Sequence, residues 1–343
     1  MRRRWIFNLI FLLILVLAFS ALLWGSSRNP TAGLTDEQRT LASFKKVDDF
    51  PLYVMTYYGD YGFADYLKEG IASLESTPLL ADQHWACTTF STSNPASDYL
   101  LGRNFDWHDH PALLLFTDPP DAYASVTMVD LYYLGFLKDQ PPSDLALQNL
   151  FNAPYWTFDG MNEYGLAVGM MAVSEADLDR DPRKVTISSL EVVRLMLDYA
   201  KDVDEAISLL KQYNIDFGGG PPLHYLIADG AGNSAVIEFI GGEMIVLEGE
   251  DPWQVSTNFL ISIEKPQGSD SSCWRYNQAY RTLQSAGGDI SQQDAMAILE
   301  GVAQSGSYPT IWSIVYNRFG GEIQLVVGRQ YDKAHRFKLN MAN

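Results

Sequence analysis

Basic residues are scarce in this chain: 24 Lys and Arg stand against 42 Asp and Glu, a formal charge of −18 over 343 residues. Nucleic acid needs a basic surface to meet its phosphates, so that class of partner is excluded. The acidity itself speaks to solubility, not to an activity. The chain has five histidines, and neither H-E-x-x-H nor a carboxylate at ligand spacing accompanies the His108-x-His110 pair, so no metal is expected and the pair reads as a loop at a pocket rim. GGGPP at 218–222 lacks the G-K-[ST] of a phosphate loop, and no G-x-S-x-G elbow of a serine hydrolase occurs. Cysteine is reduced to two residues, Cys87 and Cys273. No repeat period and no long block of like charge interrupts ordinary globular composition, 47% hydrophobic and 19% charged.

A basic start, MRRRW, precedes an apolar run from Trp5 to Trp24 broken only by Asn8 and Ser20. That exceeds the ~7–15 apolar residues of a signal peptide and reaches the ~20 that a spanning helix needs. Residues 1–27 therefore read as a signal anchor, with Arg2 to Arg4 cytoplasmic and the remainder extracytoplasmic at the cell membrane. Cleavage after Gly25–Ser27, giving a secreted protein, is the alternative. GSSRNPTAGL at 25–34 is a linker.

Beyond it, Thr35 with Gln38 predicts a capping box and a short helix to about Lys46. PLYVMTYYGDYGF is strand-like, and ADYLKEGIASL is helical. CTTFST and YLLGRNFDW flank the turn formers SNPASD, which predicts a hairpin. TFDGMNEYGLAVGMMAV predicts a strand pair, SLEVVRLMLDYA and DVDEAISLLKQY two helices, and HYLIADGAGNSAVIEFIGGEMIVLEG strands turning at Asp229–Asn233 and Gly241–Gly242. SQQDAMAILEGVAQ carries a Ser-x-x-Asp cap, and WSIVYNRFGGEIQLVVG closes as a hairpin. Strands, a helical pair and strands again describe one α+β domain with helices outside its sheets.

If the first hairpin turns about Pro95, Cys87 faces Arg103. A guanidinium beside a thiol favours the thiolate, lowering a free pKa of ~8.5. Asp106, an odd number of residues on, belongs to the opposite strand face and reaches such a site only through a bulge or at the strand's end.

These residues also resemble a family. Cys at a strand start, G-R-N-x-D-W with Arg103 and Asp106, and then N-E-x-G-L are similar to the choloylglycine hydrolase and linear-amide hydrolase group, within the N-terminal-nucleophile superfamily. HYLIADGAGNSAVIE, STNF with Asn258, and SSCWRYNQAY with Arg275 continue the likeness in order. The resemblance implies a four-layer αββα sandwich over 87–343, with 28–86 as linker and pro-segment. It implies hydrolysis of a linear non-peptide amide without a cofactor. Cys87 would be freed by autoproteolysis at Ala86–Cys87, its α-amino group would serve as base, and a thioester would form. Arg103 would steady the thiolate, Asp106 would accept from the α-amino group, Asn258 would donate to the oxyanion, and Arg275 would line the site. Ala172 would supply a second backbone N–H, and Glu163 matches a glutamate of the ceramidase-like branch.

Two other readings stand beside this one. An acyltransferase of the same fold would pass the acyl group to an amine. A membrane-tethered binding protein with a dead site would carry a Cys87–Cys273 disulfide, natural for an exported chain. Aromatic segments near these residues (FDW, YWTF and CWRY) favour an apolar acyl group. N-acyl lipids and N-acyl amine signals thus rank above penicillins, and penicillins above bile salts. Oligomeric state has no sequence signal.

Overall fold

The computed structural model describes residues 33–70, 86–218 and 220–342. The expected anchor at 1–27 and the stretch 71–85 just before the Ala86–Cys87 bond lie outside them. Among the described residues no helix is long and apolar enough to cross a membrane.

The described chain opens on α1 (Asp36–Ser43), held by the capping box: Gln38 N–H donates to Thr35 Oγ1 at 3.3 Å, and Thr35 N–H to Gln38 Oε1 at 3.1 Å. The helix ends sooner than its pattern predicts because β1 (Lys45–Asp48) leaves to pair with β2 (Leu52–Tyr57). Then come α2 (Phe63–Glu69), β3 (Ala86–Thr92), β4 (Leu100–Asp106), β5 (Ala112–Thr117), β6 (Ser125–Asp130), α3 (Asp144–Asn149), β7 (Thr157–Asn162) and β8 (Ala167–Ala172). The short β9 (Thr186–Ser188), α4 (Glu191–Tyr199), α5 (Val203–Leu210) and β10 (Asn214–Asp216) lead to β11 (Leu223–Ala228), β12 (Ser234–Ile240), β13 (Glu243–Glu248) and β14 (Trp253–Ser256). The chain closes with α6 (Ile261–Glu264), α7 (Trp274–Ala286), α8 (Gln292–Gly301), β15 (Thr310–Asn317), β16 (Glu322–Val327) and β17 (His335–Lys338). A second capping box, Ser291 with Asp294, opens α8 as its Ser-x-x-Asp pattern predicts. The last strand, β17, extends the closing hairpin beyond its sequence signal.

Nine strands form one sheet in the order β1-β2-β5-β6-β7-β8-β11-β12-β13, and six form another, β14-β3-β4-β15-β16-β17. β3 and β4 lie against β8 and β11, so the sheets face each other. Helix α4 covers β7 and β8 from outside, with α5 beside it, while α7 and α8 cover β14, β4 and β15. The layers are therefore helix, sheet, sheet, helix. Alternation along β3 shows the division: Cys87 points between the sheets, whereas Phe90 points outward into the second core beneath α7 and α8. Each such fully buried apolar side chain contributes about 1.5–3 kcal/mol. That outer core is tight, for a Cβ at Gly102 would stand 2.4 Å from the Phe90 ring.

Residues 33–70, ahead of Ala86, are part of this architecture. Strand β2 runs parallel to β5, register Leu52 with Ala112 to Tyr57 with Thr117, and Tyr61 donates its hydroxyl to buried Asp198 at 2.6 Å.

Candidate active site

The hairpin β3–β4 forms, in a different register from the one centred on Pro95. Ala86 pairs with Asp106, Cys87 with Phe105 and Thr89 with Arg103. Asn94 causes the difference: its Oδ1 accepts from Ala96 N–H at 2.9 Å and its carbonyl from Ser97 N–H at 3.0 Å, which moves the turn one residue on. Arg103 is thus diagonal to Cys87, on the same inward face, and its Nη2 lies 3.5 Å from Cys87 Sγ. Gly169 on β8 makes room: a Cβ there would meet Thr89 at 3.0 Å and Arg103 Nη1 at 3.3 Å. The guanidinium also donates to the Met170 carbonyl and pairs through Nε with Asp159 Oδ2 at 2.8 Å.

The thiol behaves otherwise than a facing arginine suggests. Burial is the largest influence on Cys87 and pushes it up to about 11; Arg103 and Arg275 oppose the rise, and Asp106 and Asp159 reinforce it. In the uncut chain burial favours the protonated thiol.

Asp106 lies on the outer face of the small sheet, as strand parity dictates. Its carboxylate accepts from Thr310 Oγ1 at 2.5 Å and Gln304 Nε2 at 2.8 Å, and Arg275 Nη1 stands 3.7 Å away. Burial raises its pKa against the pull of Arg275, Thr310 and Gln304. It does not take the Cys87 N–H. That bond goes to Asn258 Oδ1, at 2.7 Å.

Asn258 follows β14, and Arg275 sits in the first turn of α7. Arg275 Nη2 donates to Asn258 Oδ1 at 2.8 Å, while Nη1 donates to Thr88 Oγ1 at 3.0 Å and to the Cys87 carbonyl. One guanidinium therefore ties Asn258 to both sides of the Cys87–Thr88 peptide. Asn258 Nδ2 donates to the Ala172 carbonyl at 2.8 Å, so the contact that Ala172 makes here is through its oxygen. The sequence brings Cys87, Arg103, Asn258, Arg275 and Ala172 together, with Asp106 behind the sheet.

Glu163 stands apart, in the β7–β8 turn at the end of β8 remote from Ala172; its Oε1 accepts from Ala124 N–H at 3.0 Å. Cys87 and Cys273 are both free thiols, so the disulfide alternative is not formed. His110 bonds Asp130 at 2.8 Å and stacks on Tyr132, and His108 leans on Trp107 and Tyr308.

Three supports escaped the sequence reading. Asp159 forms an ion pair with Arg103 and accepts from Trp312 Nε1 at 3.0 Å and from Tyr316 Oη at 2.6 Å. Its signal was an acid inside a strand with every residue buried, which requires a partner. Thr310 and Gln304 gave none, being ordinary loop and strand-start residues. The third is a buried pair under the Asn258 loop. His224 Nε2 meets the Thr257 carbonyl at 2.7 Å and Nδ1 meets Glu238 Oε1 at 3.3 Å, while Glu238 also accepts from Ile261 N–H and Ser262 N–H. Burial pushes Glu238 up, but His224 and Ser262 outweigh it and hold the carboxyl below its ordinary range.

Aromatic side chains continue from the thiol. Phe105, opposite Cys87, packs on Phe158 and Trp312; Phe158 meets Tyr133, which stacks on Trp156, and Trp107 stacks on Tyr308. The CWRY segment is not part of this wall: Tyr276 packs into the outer core and Trp274 is 52% exposed.

Residues 87–259 match the family model described as linear amide C–N hydrolases, choloylglycine hydrolase family. A curated relative, penicillin V acylase of Pectobacterium atrosepticum, is 27% identical over 186 residues, covering 50% of this chain and 49% of that protein. The chain spans about half the length, or less, of the curated relatives it matches. Among solved structures, a mutant of conjugated bile acid hydrolase from Clostridium perfringens superposes with a TM-score of 0.55 at 15% identity, over 75% of this chain and 93% of that one. Penicillin V acylase from Agrobacterium tumefaciens gives 0.51 at 19% identity, over 71% and 83%. At these identities the structural likeness establishes the fold.

Proposed function

The chain belongs to the linear amide C–N hydrolases of the choloylglycine hydrolase family, and from that premise we propose that it cleaves a linear N-acyl amide with Cys87 as an N-terminal nucleophile released from its own precursor. The observation that carries this reading is the setting of Cys87 at the head of β3: its Sγ lies against Arg103, its N–H on Asn258 and its carbonyl on Arg275.

Maturation begins when Cys87 sulfur attacks the Ala86 carbonyl. The amide becomes a thioester, and the Cys87 nitrogen takes the proton that the thiol gives up. Water then hydrolyses the thioester, leaving a carboxylate on Ala86 and a free amine and thiol on Cys87. That α-amine, with a reference pKa of ~7.7–8.0, is suited to exchange a proton near neutrality. In turnover it accepts the thiol proton as sulfur adds to the substrate carbonyl. The oxyanion collapses, the amine product leaves with the proton, and water cleaves the acyl thioester to a carboxylic acid. Asn258 Nδ2 is the proposed oxyanion donor; in the uncut chain its partner is the Ala172 carbonyl, an oxygen acceptor like the one the reaction would create. Arg275 keeps Asn258 oriented, and Arg103 supplies positive charge as the sulfur ionises. Asp106 acts behind the sheet, fixing Arg275.

The half-buried Tyr133 and Trp156, stacked on each other at the end of the aromatic run from Phe105, support an apolar acyl group, fatty or aryl. The basic and apolar start of the sequence supports export, with the catalytic part tethered or released outside the cytoplasm. N-terminal sequencing followed by an amide panel tests the reading. A new N-terminus at Cys87 with acid and amine released in equal amounts supports it; an intact chain with full activity overturns it. Added amine that captures the acyl group in place of water would make the enzyme a transferase.

A further inference from the structure

We propose that Asp159 is a positioning residue of the thiol site, which holds the Arg103 guanidinium and limits how much of its positive charge reaches Cys87. The proposal rests on the reading of Cys87 as the attacking thiol.

Asp159 lies on β7 between the sheets with no exposed surface. Two donors converge on its carboxylate, Trp312 Nε1 at 3.0 Å and Tyr316 Oη at 2.6 Å, and Arg103 Nε stands 2.8 Å from it as an ion pair. Trp312 and Tyr316 lie four residues apart on one face of β15, the neighbour of β4, so β15 fixes the acid and the acid fixes the arginine. Arg103 divides its fork three ways, between Asp159, the Met170 carbonyl and Cys87 Sγ. Among the described residues, the charges acting on the thiol are Arg103 and Asp106 from β4, Arg275 from α7 and Asp159 from β7. Arg103 is the strongest of these charges and favours the thiolate, and Asp159 opposes it. Burial is what displaces the thiol upward, against the pull of Arg103, and Asp159 weakens that pull. Removing Asp159 would leave Arg103 facing the sulfur without its counter-ion, and the thiolate would gain.

The test reads thiol chemistry, not turnover. In a Cys273→Ser background, Cys87 is the remaining thiol, and methyl methanethiosulfonate converts its thiolate to a methyl disulfide with release of methanesulfinate. The rate at pH 8, followed by intact mass on chains in the same processing state, measures thiolate fraction. Asp159→Asn should raise that rate about tenfold or more, the effect of roughly one pKa unit from a nearby charge. Asp159→Glu should return it towards the parent rate. Tyr316→Phe removes a donor from Asp159 without changing charge, leaves the acid more strongly negative towards Arg103, and should slow the reaction. A loosened fold would speed both variants, whereas charge control moves them in opposite directions. A rate within about twofold of the parent for Asp159→Asn overturns the proposal. If that variant fails to fold, an unchanged or faster Tyr316→Phe overturns it. Loss of the nucleophile reading itself would appear separately, as amide hydrolysis by Cys87→Ala.

Discussion

The backbone N–H of Cys87 donates to Asn258 Oδ1 at 2.7 Å, joining residues 171 apart in sequence. Strand pairing sets this contact up: β14 lies antiparallel to β3 with Ser256 opposite Thr89, and continuing that register puts Asn258 opposite Cys87. The same amide is held by Arg275 and rests on Ala172, so the precursor already carries the arrangement that the proposed reaction uses.

Purified protein is expected to contain two pieces, with a new N-terminus at Cys87, and Cys87→Ala is expected to stay whole. The pieces should co-elute in size exclusion, because β2 is paired to β5 and Tyr61 is bonded to Asp198 across the cut. Intact mass and chromatography check both parts; a separated leading piece would count against the retained strand.

Replacing Asn258 with Ala removes a preorganised donor. Such losses cost ~10²–10³ in kcat, with far less effect on KM, and that range is expected here. A fall of less than about threefold would take Asn258 out of the mechanism.

Arg103→Lys keeps the charge but cannot serve Asp159, the Met170 carbonyl and Sγ together, since an ammonium has no planar fork. Activity should fall along with stability in urea unfolding. Arg103→Met leaves Asp159 buried without its cation and should cost about 3–5 kcal/mol. Equal stability in the Met variant would show that the pair contributes nothing to the fold.

The uncut chain should lose stability as the medium becomes alkaline. Folding holds Cys87 as a thiol with a pKa pushed up to about 11 from 9.0, whereas the unfolded chain ionises at the lower value. The thiol's contribution is therefore fully present below about pH 9 and is lost as pH rises towards 11. Two units correspond to about 2–3 kcal/mol. Cys87→Ser lacks this loss, so urea midpoints of that variant and of precursor isolated before cleavage, compared between pH 7 and 10.5, should converge or cross; parallel curves would count against the buried thiol.

Across matched fatty-acyl amides, phenoxyacetyl amides and conjugated bile salts, kcat/KM should favour the apolar acyl groups. A tenfold preference for the bile-salt conjugates, about 1.4 kcal/mol in transition-state binding, would overturn the assignment of the aromatic wall to an apolar acyl chain.

Local rules carried much of the architecture. Both capping boxes, the turns at Asn162–Gly165 and Asp229–Asn233 and the paired helices α4 and α5 follow from short-range chemistry, which acts over three or four residues. The ordered motifs from Cys87 to Arg275 likewise identified the family. Register and charge balance were decided elsewhere. An Asn94 side chain displaced the hairpin by one residue, which set Phe105 rather than Arg103 opposite Cys87. Asp159 comes to Arg103 only because β7 and β4 belong to facing sheets. Burial then turned a thiol expected to ionise readily into one that holds its proton, since desolvation depends on everything packed around the sulfur and no short stretch of sequence contains that sum.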